Sequence, residues 1–173
     1  MNGSIQVYYG NGRGKSTAAL GLGIRAAGVG KQVIMVQFLK KKHSDTLEFL
    51  KKLEPELQIF RFEKAACGYS DLSPEERQEQ MQNIRNALGY SRKVLDTGQC
   101  DLLILDEIFG LVDYGIITIK ELMDLIAVKR DSVDLILTGR HLPEVVREVA
   151  DCVYEICKEK EQCPEILEPG VTD

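Results

Sequence analysis

The sequence predicts an α/β domain, built on a single, mainly parallel sheet of about six strands flanked by helices. Three observations predict it. Short β-branched apolar runs alternate with helix-like stretches along the chain. The first of these runs opens directly onto a glycine-rich turn and then a helix. The 173 residues, 44% hydrophobic and 28% charged, sit near globular averages and are enough to bury one sizeable core. Strands that alternate with helices imply parallel pairing, because parallel neighbours need a crossover connection rather than a tight hairpin.

The elements follow in order. Apolar runs at 5–9, 32–38, 58–62, 101–105, 134–138 and 152–156 read as the strands. Helices are expected at 15–28, 44–53, 74–97, 119–127 and 143–149. The third of these has the clearest start: Ser73 as N-cap, Pro74 at the first helical position, then Glu75 and Glu76 in the positive first turn. Met81, Ile84, Leu88 and Leu95 recur at helical spacing and are expected to form its buried face. One domain is expected over 1–157. Residues 158–173, with two prolines and five acidic residues against two lysines, read as a C-terminal tail.

Composition excludes several function classes. A net charge of −5 and a pI near 5.2 leave no basic footprint for general nucleic-acid binding. No leader-like basic-then-apolar opening is visible, and no run approaches the roughly 18 apolar residues a membrane helix needs, so a cytoplasmic protein without a membrane partner is expected. Five cysteines, Cys67, Cys100, Cys152, Cys157 and Cys163, include no CxxC pair and are expected to be free thiols.

The glycine-rich turn is Gly10-Asn11-Gly12-Arg13-Gly14-Lys15-Ser16-Thr17. Strand before and helix after make it a phosphate-binding loop: its glycines let backbone N–H groups wrap a phosphate chain, Lys15 reaches the outer phosphates, and Ser16 offers a hydroxyl to Mg²⁺. The usual spacing would put its first glycine at position 9, which is Tyr9; starting from Gly10, the loop is one residue shorter. Roughly ninety residues on, Leu102-Leu103-Ile104-Leu105 ends in Asp106-Glu107, two carboxylates at the carboxyl end of a buried strand, where parallel sheets bind ligands. Either carboxylate suits Mg²⁺, directly or through water. Leu135-Ile136-Leu137-Thr138-Gly139-Arg140 repeats the pattern, and Arg140 is placed to neutralise a leaving triphosphate. Gln37 and Lys40 close the second strand at the same edge as candidate substrate contacts. His43 and His141 have no evident partner in sequence and read as exposed loop residues.

These segments, from Tyr8 through Ala19, with Arg25-Ala26-Ala27-Gly28, Val36-Gln37-Phe38, Leu105-Asp106-Glu107, Thr138-Gly139-Arg140 and Ala150-Asp151-Cys152-Val153, resemble the ATP:corrinoid adenosyltransferases of the phosphate-loop type. The short loop is the most specific part of the likeness. The resemblance implies the RecA-like P-loop NTPase fold and transfer of the 5′-deoxyadenosyl group of ATP to cobalt(I) of a corrinoid, with triphosphate released whole. It implies Lys15 and Arg140 as catalytic groups, ATP and Mg²⁺ as co-substrate and metal, a homodimer, and a cobalt-reducing flavoprotein as a candidate partner. It also implies an aromatic corrinoid contact in the segment after the third strand. The chain has no Trp, and Tyr69 is the aromatic residue of that stretch, Ala66-Cys67-Gly68-Tyr69-Ser70-Asp71. From the residues alone two other readings stay open: a small RecA-like ATPase or kinase, with Glu107 polarising the attacking water or hydroxyl, and a non-catalytic ATP-binding regulator.

Overall fold

A computed structural model describes residues 3–40, 50–62 and 72–160. Six strands, β1 (Ile5–Tyr9), β2 (Val33–Gln37), β3 (Leu57–Arg61), β4 (Leu102–Asp106), β5 (Asp134–Gly139) and β6 (Cys152–Glu155), form one sheet in the order β3-β2-β4-β5-β1-β6. Every neighbouring pair is parallel. The strands lie close to their expected positions, with no end moved by more than one residue.

Parallel strands bury both faces, and the interior strands β2 and β4 are buried at every position. Alternation sends Val33, Met35, Leu57, Leu102, Ile104 and Ile136 to one face, where α1 (Lys15–Ala27) packs through Ala19. Ile34, Val36, Leu103, Leu105, Leu135 and Leu137 face the other way. There they meet Ile84, Ala87, Val94 and Leu95 of α2 (Pro74–Thr97) and Leu122, Leu125 and Ile126 of α4 (Ile119–Ala127). Between β4 and α4 lies α3 (Ile108–Asp113), and α5 (Glu144–Val149) precedes β6.

The expected start of α2 is present in full: Ser73 Oγ accepts from the Glu76 N–H while the Glu76 carboxylate accepts from the Ser73 N–H. Its buried face differs from the expected one. Ile84 and Leu95 are buried and Leu88 is partly so, but Met81 is exposed and Gln80 stands in the inner stripe instead. That stripe runs 80, 84, 87, 91, 94, and Met81 lies about 100° around the helix from Gln80. The short helix α3 was not expected, because six residues directly after Asp106-Glu107 give too little periodicity to read. Of the helix expected at 44–53, only its last residues are described, as a 3₁₀ turn at Lys51–Leu53; the remainder, with His43, lies outside the described residues. Cys100, Cys152 and Cys157 are free, as expected, while Cys67 and Cys163 also lie outside the described residues. Among the described residues no helix is long and apolar enough to cross a membrane.

Six buried polar or charged side chains occur among the described residues: Lys15, Gln37, Gln80, Ser91, Asp106 and Thr138. Lys15, Gln37, Asp106 and Thr138 gather at the carboxyl edge of the sheet. Buried polar groups need partners, so this cluster marks where the fold is organised for something other than packing.

Candidate active site

The loop from Gly10 to Gly14 leaves β1 beside the exit of β5, with Tyr9 paired to Gly139. Two of its glycines are required by the backbone. Gly10 has φ 119° and a Cβ there would stand 2.4 Å from the Ile156 carbonyl oxygen; Gly14 has φ 105° just before α1. The loop is held from outside. The Gly10 N–H donates to the Arg140 carbonyl at 3.1 Å, the Gly12 N–H donates to the Ile156 carbonyl at 2.8 Å, and the Lys158 N–H donates to Asn11 Oδ1 at 3.0 Å. Strand β5 and the chain leaving β6 therefore fix the loop's shape in advance of any ligand.

Helix α1 begins with no side-chain cap and no acidic residue in its first turn. Its leading N–H groups and the positive end of its dipole are left to an anion. Lys15, only 4% exposed, crosses its own loop, and its Nζ donates to the Gly12 carbonyl at 2.8 Å. A phosphate oxygen would compete well for that ammonium, because an ionised acceptor binds it more strongly than a neutral carbonyl.

Asp106, fully buried, is the centre of the other half. Its Oδ1 accepts from Ser16 Oγ at 2.8 Å and Thr138 Oγ1 at 2.7 Å, and its Oδ2 accepts from Gln37 Nε2 at 3.1 Å. Gln37 is in turn held by Arg61, whose Nε donates to Gln37 Oε1 at 2.7 Å. Glu107 follows in the left-handed region at φ 62°, uncommon for a residue with a side chain, and its N–H donates to Thr138 Oγ1 at 2.8 Å. Burial pushes the Glu107 carboxyl above its ordinary value. The charge of Lys40 opposes that shift, Asp106 adds to it, and Lys15 and Arg140 oppose it further. Three cations thus face this carboxyl.

Lys15, Ser16, Gln37, Asp106 and Glu107 are brought together as expected. Arg140 is exposed; its backbone holds the loop and its charge acts on Glu107. Asn11 binds the chain after β6, and Arg13 with Gly12 lines a cleft of about 800 Å³ bounded by Cys157, Lys158, Glu159 and Lys160. Thr17 is exposed on the first turn of α1. Tyr69 lies outside the described residues. His141 is exposed as expected, yet its Nδ1 lies 3.0 Å from Asp113 Oδ2, a partner 28 residues upstream that sequence reading did not find. Sequence reading also gave no role to Arg61 or to the Thr138 hydroxyl. The strand-end position of Arg61, level with Gln37, was the available signal, and it becomes readable only once the strand order is known.

Among the described residues no three His, Cys, Asp or Glu side chains gather into a metal cage. The groups there that could ligate a cation, the Ser16 hydroxyl and the Asp106 and Glu107 carboxyls, offer only oxygen, opposite a surface suited to phosphate. That set fits Mg²⁺, which keeps several waters and completes its shell with substrate phosphate, better than it fits a thiophilic metal.

Comparison with known proteins gives consistent findings. The family model described as ATP:corrinoid adenosyltransferase BtuR/CobO/CobP matches residues 1–168. The chain is 31% identical over 154 residues to the corrinoid adenosyltransferase of Escherichia coli strain K12, covering 89% of this chain and 76% of that one. It is 30% identical to the corrinoid adenosyltransferase CobA of Salmonella typhimurium strain LT2, with the same coverage. Among solved structures it resembles a KaiC-like protein, PH0186 from Pyrococcus horikoshii OT3, with a TM-score of 0.61 at 19% identity, over 93% of this chain and 74% of that chain. The last likeness concerns the fold.

Proposed function

The chain belongs to the ATP:corrinoid adenosyltransferase family, and from that membership we propose how its site carries out ATP-dependent adenosyl transfer to a corrinoid. Cobalt(I) of the corrinoid substrate is the nucleophile. It forms a Co–C bond to the ribose C5′ of ATP as the C5′–O bond breaks, and the electron pair leaves with an intact triphosphate. Most of the difficulty lies in the leaving group, which departs carrying several negative charges.

The observation that carries this reading is the distribution of charge at the site. Lys15 and the uncapped start of α1 stand together at the loop, where a triphosphate would lie, with Arg140 and Lys40 close enough to act on Glu107. Such preorganised donors stabilise charge as it develops. No protein base is required, since the acceptor brings its own nucleophile, and the histidine–carboxylate pair found here, His141 with Asp113, is exposed at a loop. Lys15 and Arg140 are assigned to the departing triphosphate. Gly10 to Thr17 are assigned to its cradle, and Ser16, Asp106 and Glu107 to Mg²⁺, directly or through water. When bound, the cation supplies further neutralisation of the triphosphate. Tyr69 is assigned to the corrinoid by family likeness. A homodimer working in the cytoplasm, with a flavoprotein delivering electrons to cobalt, completes the proposal.

The test is an anaerobic product assay with ATP, Mg²⁺ and chemically reduced cobalt(I) corrinoid. Adenosylcorrinoid together with intact triphosphate is expected, and Lys15→Ala should lower the rate at least a hundredfold, the usual scale for loss of one preorganised charge-stabilising donor. ADP formed without any change in the corrinoid spectrum would identify an ATPase instead.

A further inference from the structure

Three strand ends lie side by side at the carboxyl edge: Arg61 of β3, Gln37 of β2 and Asp106 of β4. Parallel register sends their side chains to the same face, the one α1 covers. They form a continuous line of hydrogen bonds, from Arg61 Nε to Gln37 Oε1 at 2.7 Å and from Gln37 Nε2 to Asp106 Oδ2 at 3.1 Å. Gln37 is 8% exposed and Asp106 is fully buried, so water has little access to the inner step of this path.

The chemistry of an amide gives the line a direction. An amide accepts at one end and donates at the other. A guanidinium has no acceptor, so Arg61 holds the Gln37 oxygen toward itself and thereby keeps the NH₂ turned to Asp106. With Oδ2 fixed by Gln37, the carboxylate cannot rotate away from Ser16 and Thr138, which hold Oδ1. A metal-binding carboxylate depends on this kind of outer support for its orientation.

Resting on the assignment of Asp106 to the cation that accompanies ATP, we propose that Arg61 is a positioning residue: acting through Gln37, it orients the Asp106 carboxylate and so sets how strongly Mg²⁺ enhances ATP binding. Arg61 touches neither substrate in this role. Its charge sits one strand beyond Gln37, and it acts on the site through the amide.

The relevant measurement is ATP affinity of the full chain by calorimetry, once with saturating Mg²⁺ and once in EDTA, the ratio of the two being the cation-dependent gain. Arg61→Met, which keeps the aliphatic stem, should reduce that gain about tenfold, the scale of one hydrogen bond within a charged network, while leaving affinity in EDTA as in the parent. Gln37→Met should reduce the cation-dependent gain by a similar factor. The double variant should lose no more than Gln37→Met alone, because both changes cut one path. Arg61→Lys should recover part of the gain.

An unchanged gain in Arg61→Met would overturn the proposal, as would additive losses in the double variant or an equal loss of affinity in EDTA. If Arg61→Met does not fold, the pair Arg61→Lys and Gln37→Met gives the same comparison. None of these titrations uses a corrinoid. A protein that binds MgATP in the expected pattern but never alkylates cobalt would sink the adenosyltransferase mechanism and leave the relay standing.

Discussion

The Thr138 hydroxyl serves both carboxylate residues at once, donating to Asp106 Oδ1 at 2.7 Å and accepting from the Glu107 N–H at 2.8 Å. The second bond helps hold Glu107 in its left-handed conformation, which a residue with a side chain adopts only against a steric cost. Thr138→Val keeps the shape and deletes both bonds, leaving a buried carboxylate short of a donor and a backbone N–H without its acceptor. It should destabilise the protein by about 2 kcal/mol in urea denaturation, whereas Thr138→Ser should stay close to the parent. Equal stability of the valine variant would show that the hydroxyl is dispensable to the fold. At this scale the sequence was informative where one segment holds the chemistry, as with Lys15 and Ser16 in the loop or Asp106-Glu107 at a strand end. It was silent on Arg61 and on the Thr138 hydroxyl, because their partners come from other strands.

At the scale of elements, the strand starts have their own anchor, far from the site. The Asp134 carboxylate, opening β5, accepts from the Ser4 N–H at 2.8 Å, from Ser4 Oγ at 3.1 Å and from Lys31 Nζ at 3.1 Å. Burial raises the affinity of this carboxyl for its proton, but the bonds from Ser4 and Lys31 outweigh it and hold the group below its ordinary value of 3.8. The unfolded chain therefore binds more protons in the window below that value, and stability rises with pH across it. The contribution is complete above the ordinary carboxylate range and is lost as pH falls through the lowered value. Asp134→Asn should accordingly be less stable than the parent at pH 7, with the difference shrinking as both are acidified toward pH 2. A difference that stayed constant down to that pH would assign the effect to packing instead of charge. Elements with strong local signals, such as the capping box of α2, were readable in advance. Helix α3 was not, since its six residues are defined by the chain turning off β4, with Gly110 close against Leu39, more than by any pattern of their own.

At the scale of the whole molecule, the sequence predicted a mainly parallel sheet of about six strands but not their order. Order determines which strand ends meet, and here it places the loop after β1 against the exits of β5 and β6, with β4 and β2 completing the site. A ligand in that position bridges segments far apart in the chain, Ser16 and Asp106, 90 residues apart, among them, and it binds only when all are assembled. Binding to the folded state alone stabilises it by about 2.7 kcal/mol at a ligand concentration one hundred times Kd, which corresponds to a rise of roughly 5–10 °C in Tm for a domain of this size. MgATP should therefore raise Tm by that amount in a thermal melt, and ATP in EDTA at the same concentration should raise it less, since the carboxylate half is then unbridged. Lys15→Ala should remove most of the MgATP shift while melting near the parent without ligand, because its ammonium answers to one loop carbonyl in the free protein and to the triphosphate in the complex. An undiminished shift in that variant would place the nucleotide somewhere other than the loop, and the charge distribution at the carboxyl edge would then need a different occupant.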